Sequence, residues 1–467
     1  MTSLKQQTIS GMTWGFAGDF AGKAIGFIIG LILARLLSPK EYGLIGMVTV
    51  FIVLTEPFIN SGFNEALIRK AKCSEKDYSS VFYFNLCAGI VFYLLIFFTA
   101  PFISSFFKEP ELIRITRAIG IIIIINAASL IQATILTKEV NFKLLTKINL
   151  ASSLVSGIFG IVLAFRGLGV WALVIRTITD RFIRSCLLWI INNWRPHGIF
   201  SLQIIKELFG FSSRILVSAI IDKIYSNIYN LVIAKFFSAK ELGLYTRGQM
   251  FKNFASESIT EVIGRDSFPI LSLIQNDPGR LQSTYKTTLI TTQYIVSILM
   301  LVLASIAEPL ILTLIGENWV GSVIYLQLLC FIGLLYPMHA ITRNLMYVFG
   351  RSKLVLRLQI FTKILAIPAI IVGIFVGIIP MILVMIATSL IEMIVKTYLA
   401  GKLVNYPLMT QLKDMAPSFL LAVTTGGILF ILNLILKSTP AITLTIQITT
   451  GAIMILSFSE FFKIREY

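Results

Sequence analysis

A chain of 467 residues that is 56% hydrophobic and only 13% charged, with a mean hydropathy of +0.86, has too little polar surface for a soluble globular domain. Its net charge of +17 suggests nucleic acid at first sight. The Lys and Arg residues, however, fall mostly in short loops between apolar runs, as the positive-inside bias of a membrane protein requires, so nucleic acid is not expected as a partner.

Apolar runs long enough to cross roughly 30 Å of hydrocarbon recur along the whole length. This predicts an all-α polytopic membrane protein rather than a barrel of short alternating strands. About fourteen spans are expected, near residues 11–37, 43–63, 79–101, 112–137, 148–165, 168–192, 208–237, 246–274, 284–307, 320–349, 354–376, 380–400, 415–436 and 440–460. The first follows Met1–Gln7 without a small-residue cleavage site and reads as an uncleaved helix. The second and eighth carry several charges and resemble amphipathic helices.

The first span carries Asp19 and Lys23 four residues apart on one face, and Gly22, Gly26 and Gly30 on a ridge that would let a neighbouring helix approach. At its end stands Leu33-Ala34-Arg35-Leu36-Leu37-Ser38-Pro39-Lys40-Glu41-Tyr42-Gly43-Leu44. This reads as a helix end, a turn and a new start, with Ser38 and Glu41 as a capping box and Pro39 at the first helical position. The stretch recurs as Ile233-Ala234-Lys235-Phe236-Phe237-Ser238-Ala239-Lys240-Glu241-Leu242-Gly243-Leu244. A period of about two hundred residues separates the copies, and six spans lie between them. The expectation is a parallel repeat of two pseudo-symmetric six-helix bundles, residues 1–200 and 201–400, followed by two C-terminal helices over 401–467.

Alternation from a cytoplasmic N-terminus puts Arg69, Lys70, Lys72, Lys76, Lys138, Lys143, Lys147, Arg351, Lys353, Lys463 and Arg465 inside, and leaves few charges in the opposite loops. Both termini are thus expected in the cytoplasm.

Charge at membrane depth is costly, so such residues usually face a bundle interior or a water-filled cavity. In the second span Glu56, Asn60 and Asn64 form a polar stripe, and in the eighth Asn253, Glu257 and Glu261 do the same, with Arg265 one turn on. The sixth span brings Arg176, Asp180 and Arg184 to one face, the tenth Arg343 and Asn344, the eleventh Lys363, and the twelfth Glu392 and Lys396. The seventh carries Asp222 and Lys223, and Lys223 matches Lys23 at the repeat offset. Asp19–Lys23, Arg176–Asp180 and Glu392–Lys396 read either as internal ion pairs that fix packing or as cavity groups. Arg184, Arg265, Lys363 and Lys396 also fit helix ends from which they would snorkel to headgroups.

Catalytic and metal signals are thin. His197 and His339 lack a Cys or carboxylate partner at metal-binding spacing, and Cys73, Cys87, Cys186 and Cys330 are scattered. No phosphate-loop motif is present. Neither an enzyme nor a cofactor is expected; a coupling ion, if used, would be a proton or sodium.

Leu36-Leu37-Ser38-Pro39-Lys40-Glu41-Tyr42-Gly43, Gly167-Leu168-Gly169-Val170-Trp171-Ala172-Leu173-Val174, Phe268-Pro269-Ile270-Leu271-Ser272, and Glu308-Pro309-Leu310 with Gly316-Glu317-Asn318-Trp319 occur in this order. Together they resemble the Wzx-like bacterial polysaccharide flippases of the multidrug/oligosaccharidyl-lipid/polysaccharide exporter superfamily. The resemblance implies a transporter in the bacterial cytoplasmic membrane, with two six-helix lobes around an alternating-access cavity. Its substrate would be a polyprenyl-pyrophosphate-linked oligosaccharide, such as an O-antigen, capsule or exopolysaccharide repeat unit, with membrane lipids and polysaccharide polymerases as neighbours. Lys23 and Lys223 would then offset pyrophosphate charge, and Asp19, Glu56, Glu257 and Glu261 would bind sugar hydroxyls or carry protons. Loss of export is expected from Lys23→Ala and from Lys223→Ala. The competing readings are a cation-coupled multidrug or small-molecule exporter of the same superfamily, and a membrane-embedded polysaccharide polymerase or ligase. The flippase-like motifs weigh against the first, and the lack of a large external loop weighs against the second.

Overall fold

The computed structural model describes residues 4–60, 62–436 and 438–461, with side chains described from residue 18 onward apart from 19, 211, 214, 215, 262, 265, 266, 458, 459 and 461. Asp19, Arg265, Lys463 and Arg465 therefore lie outside what is described. Among the described residues the secondary structure is helical throughout. Among these described residues, eleven stretches are long and apolar enough to cross a membrane. Large apolar side chains stand exposed along them, with Phe98, Phe102, Phe375 and Leu434 more than two-thirds accessible. In water such a surface would be an aggregation liability, whereas in lipid it is the solvent-facing side. The chain is a multi-pass membrane protein.

The chain forms two compact units, Met1–Gly243 and Leu244–Tyr467. The first contains α1 (Leu4–Leu36), α2 (Pro39–Asn60), α3 (Phe63–Arg69), α4 (Glu75–Phe107), α5 (Leu112–Lys138), α6 (Phe142–Phe165), α7 (Val170–Ile191) and α8 (Leu202–Phe236). It also holds the first turn of α9 (Ala239–Leu273). Helix α4 packs along α5, α6 lies between α1 and α7, and α2 packs against α5 and α8.

Small residues set the closest approaches. A Cβ at Gly157 would run into Ile29 of α1, and one at Gly18 into Thr146 of α6. The expected ridge behaves differently, because at Gly26 nothing lies within 4 Å and at Gly22 only Leu150 does, at 3.9 Å. The close approach of α6 to α1 is thus carried by Gly18, one i, i+4 step before the expected ridge, and by Gly157 on α6.

The two copies of the repeated stretch meet each other. A Cβ at Gly43 would collide with the Ala239 carbonyl oxygen, and one at Gly243 with the Pro39 carbonyl oxygen, so each glycine receives the backbone of the other copy. Such reciprocity is what a local two-fold relation produces. In the first copy the Ser38 amide and hydroxyl donate to Glu41 at 2.6 and 2.8 Å. In the second the Glu241 amide donates to Ser238 Oγ at 3.1 Å. The chemistry that starts α2 and α9 leaves both glycines bare for the crossing.

The second span differs from its sequence reading. Helix α2 stops at Asn60, Gly62 takes φ +70°, and α3 begins at Phe63, so the polar stripe is broken between Asn60 and Asn64. Asn60 Oδ1 accepts at 3.3 Å from the Asn64 amide in the first turn of the new helix, whose N-cap is Gly62. At the other end of α3, Lys138 Nζ donates to the Leu67 and Lys70 carbonyls at 2.9 and 2.5 Å. The hydrogen bond from Lys70 Nζ to Asp77, 2.9 Å long, holds the Lys70 ammonium above its ordinary range.

The second unit holds the remainder of α9, then α10 (Pro278–Ser305), α11 (Ala307–Leu314), a 3-10 turn (Glu317–Trp319), α12 (Ser322–Val348), α13 (Ser352–Phe375), α14 (Ile378–Leu403), α15 (Leu408–Ile435) and α16 (Pro440–Phe461). Its core runs through Leu271, Tyr285, Leu289, Leu335, Met338, Leu345 and Met415. The Gly-Glu-Asn-Trp motif has a packing role here. Trp319 is fully buried, with the Arg247 guanidinium 5.0 Å from its ring centroid. Between α14 and α15, burial together with a 2.6 Å hydrogen bond to Asp414 pushes the Tyr406 phenol up.

Candidate substrate cavity

Within the first unit α2, α5, α7 and α8 enclose a cavity of about 360 Å³. A continuous apolar helix cannot line a wet space, and each of these helices interrupts its apolar pattern at the wall. Helix α2 contributes Thr55, Glu56 and Asn60, α5 contributes Asn126 and Ser129, α7 contributes Arg181 and Arg184, and α8 contributes Lys223. The same helices also line it with apolar side chains, Ile52, Ile59, Ile123, Leu130 and Leu188.

Lys223 Nζ lies 2.9 Å from Glu56 Oε2, and the two side chains remain 40% and 43% exposed, so the pair faces the cavity rather than the packed core. Against one carboxylate stand three cations, Lys223, Arg181 and Arg184. Arg181 and Arg184 are three apart and share a face of α7. The nearby Asp180 Oδ2 is 3.9 Å from Arg181 Nε, beyond hydrogen-bond distance, and Asp180 also accepts from Ser156 Oγ at 3.4 Å. Arg184 Nε is buried without a hydrogen-bond partner. The cavity is therefore an anion-seeking space with one internal anion already in it.

The sequence candidates separate on this geometry. Glu56, Asn60 and Lys223 come together at the cavity. Asn64 sits past the break in α3, with Oδ1 buried and lacking a partner. Arg176 and Asp180 turn toward α6, where the Arg176 stem lies against Gly160. Lys23 and Asp222 are exposed and stand outside the lining, so the repeat register relates Lys23 and Lys223 in sequence without giving them one environment. Arg184, for which a snorkelling role was an option, stands in the cavity wall. Sequence reasoning missed Arg181, Asn126 and Ser129. Only the three-residue step from Arg181 to Arg184 could have revealed the first, because the 176–180–184 spacing includes Arg184 but passes over Arg181.

In the second unit Glu257 accepts from Lys252 at 2.8 Å, Asn253 Oδ1 is buried without a partner, and Glu261 and Arg343 are exposed. A separate polar group joins α12 to α14. His339 Nε2 is 3.2 Å from Ser389 Oγ and Nδ1 is 3.9 Å from Glu392, which pairs with Lys396 one turn along. His339 thus gains a carboxylate neighbour across helices that local spacing could not show. Among the described residues no group of three or more His, Cys, Asp or Glu is placed to hold a metal ion.

Residues 32–324, more than half of the chain, match the polysaccharide biosynthesis protein family. The chain belongs to this family. Every residue lining the cavity falls within the matched region. Among the family's relatives, the chain is 22% identical to the teichuronic acid biosynthesis protein TuaB of Bacillus subtilis (strain 168) over 356 residues, 76% of this chain and 74% of that protein. It is 23% identical to the lipopolysaccharide biosynthesis protein WzxC of Escherichia coli (strain K12) over 377 residues, 79% of this chain and 76% of that one. The fold is shared with the lipid II flippase MurJ in its inward closed conformation, with a TM-score of 0.76 at 16% identity, over 96% of this chain and 98% of MurJ.

Proposed function

We propose that this protein moves a polyprenyl-pyrophosphate-linked oligosaccharide from the cytoplasmic to the outer face of the bacterial cytoplasmic membrane by alternating access. It acts as a transporter and makes or breaks no covalent bond in its cargo. The observation that carries the reading is a cavity among membrane helices with three cations against one carboxylate, flanked by amide and hydroxyl side chains. Such a wall suits a charged, hydroxyl-rich headgroup, because pairing is stronger where water is scarce. The apolar outer faces of the helices let the polyprenyl tail stay in lipid while the headgroup crosses. Family membership and the flippase-like fold support the same reading. The two lobes would be the halves of the repeat, residues 1–200 and 201–400, with 401–467 as an accessory pair and both termini in the cytoplasm. Polysaccharide polymerases would take the delivered units.

The test is deletion of the gene followed by analysis of lipid-linked intermediates on each membrane face. Complete units should accumulate on the cytoplasmic face. Unpolymerised units on the outer face would instead indicate a polymerase and sink the transport reading.

A further inference from the structure

The cavity has a feature that a generally basic lumen does not explain. Its cations are unequally partnered. Lys223 is satisfied by Glu56 at 2.9 Å, whereas the Arg184 Nε–H is buried without an acceptor and the Asp180 carboxylate stands 3.9 Å from Arg181 Nε. A buried donor left without an acceptor costs free energy, and in native proteins it usually marks a missing partner. Two guanidiniums on one helix face present planar forks that match phosphate oxygens, and an ammonium opposite adds a point charge. Apolar residues of the same helices, Ile52, Ile59, Ile123 and Leu130, complete the lining of this space. A lining of cations interleaved with apolar side chains fits an anion carried on a larger, partly apolar headgroup better than a free inorganic anion.

We propose that Arg181, Arg184 and Lys223 form the subsite for the diphosphate of the lipid carrier, and that Glu56 holds the place of that anion on Lys223 until the cargo displaces it. This rests on the transport reading and deepens it. On entry the diphosphate takes Lys223 from Glu56 and supplies the acceptor that Arg184 Nε lacks. Glu56 is then released toward Asn60 and the sugar. The Glu56–Lys223 pair joins α2 to α8, so its exchange for an external anion also removes one polar link between the two helices. Glu56 thus competes with the cargo while it keeps the empty cavity from carrying three uncompensated cations.

The experiment measures binding to the purified full chain in lipid nanodiscs, with polyprenyl diphosphate, polyprenyl monophosphate and inorganic pyrophosphate as probes. Arg181→Gln and Arg184→Gln should each weaken polyprenyl diphosphate binding about tenfold, and Arg184→Lys should weaken it less. Glu56→Gln should tighten it severalfold, since a competitor is removed. Thermal unfolding of each variant separates lost binding from lost folding, and the gain expected for Glu56→Gln cannot arise from misfolding. Unchanged affinity in both Arg→Gln variants, or weaker binding in Glu56→Gln, overturns the proposal. Inorganic pyrophosphate that binds as tightly as the lipid form overturns the lipid-linked assignment. If deletion leaves lipid-linked units normally distributed while Arg-dependent binding persists, the transport reading falls and the subsite stands. The reverse pattern removes the subsite alone.

Discussion

Glu56 and Lys223 form a half-exposed ion pair, and such pairs contribute little to stability, about 1 kcal/mol or less. Two charged side chains held in apolar helices for so small a return are better explained by what they bind. Lys223→Ala is therefore expected to stop export while leaving the protein in the membrane, with a melting temperature lowered by no more than about 4 °C in detergent. Quantitative immunoblotting of membranes beside an export assay checks both parts. A large fall in melting temperature would instead make the pair structural. At this scale the sequence was informative wherever a charge interrupted an apolar run, as for Glu56 and Lys223. It was misleading where several charges crowd one helix. Helix α7 carries Arg176, Asp180, Arg181 and Arg184, and a four-residue spacing joined Arg184 to Arg176 and Asp180 while the cavity joins it to Arg181. Lys23 shows a second limit, because repeat register transmits position but not surroundings, and its side chain stands exposed on α1.

Among elements, the crossing of the repeated stretches is the tightest constraint. Gly43 and Gly243 each receive a carbonyl of the other copy. Gly43→Ala would have to move backbone, so a loss of about 1–3 kcal/mol is expected, as for overpacked cores. Gly26→Ala is the contrast, since nothing lies within 4 Å of the added methyl. It should be neutral or stabilising by up to about 1 kcal/mol through helix propensity. Thermal unfolding of the two variants in detergent tests the difference, and equal effects would contradict the assigned packing. The repeat itself was legible from Ser38, Glu41 and Gly43 recurring as Ser238, Glu241 and Gly243. Their mutual contact was not, because periodicity reports that two segments are alike and is silent on whether they touch. The break between α2 and α3 escaped for a related reason. The four-residue spacing of Glu56, Asn60 and Asn64 runs across Gly62 as if one helix continued, whereas the positive φ of Gly62 ends that register and starts α3 at Phe63.

For the whole molecule, composition was enough to identify a helical membrane protein, since each span must satisfy its own backbone in lipid. The number of spans was less legible. Helices α7 and α9 are long but carry charge in mid-helix, and neither is among the eleven stretches apolar enough to cross by composition alone. The residues that lower their hydropathy include Arg181 and Arg184 of the cavity wall in α7 and Glu257 in α9, so charge in mid-helix hides these helices from a reading by composition. The central claim is that the helices move a lipid-linked headgroup past the bilayer through a cavity in which Lys223 meets its charge. Vesicles containing the purified chain and the lipid-linked oligosaccharide isolated from a deletion strain test it most directly, with inner-leaflet sugar read by its exposure to an external glycosidase. Full exposure with the unmodified chain, and about half with Lys223→Ala or without protein, is the predicted result. Equal exposure in all three preparations would contradict it.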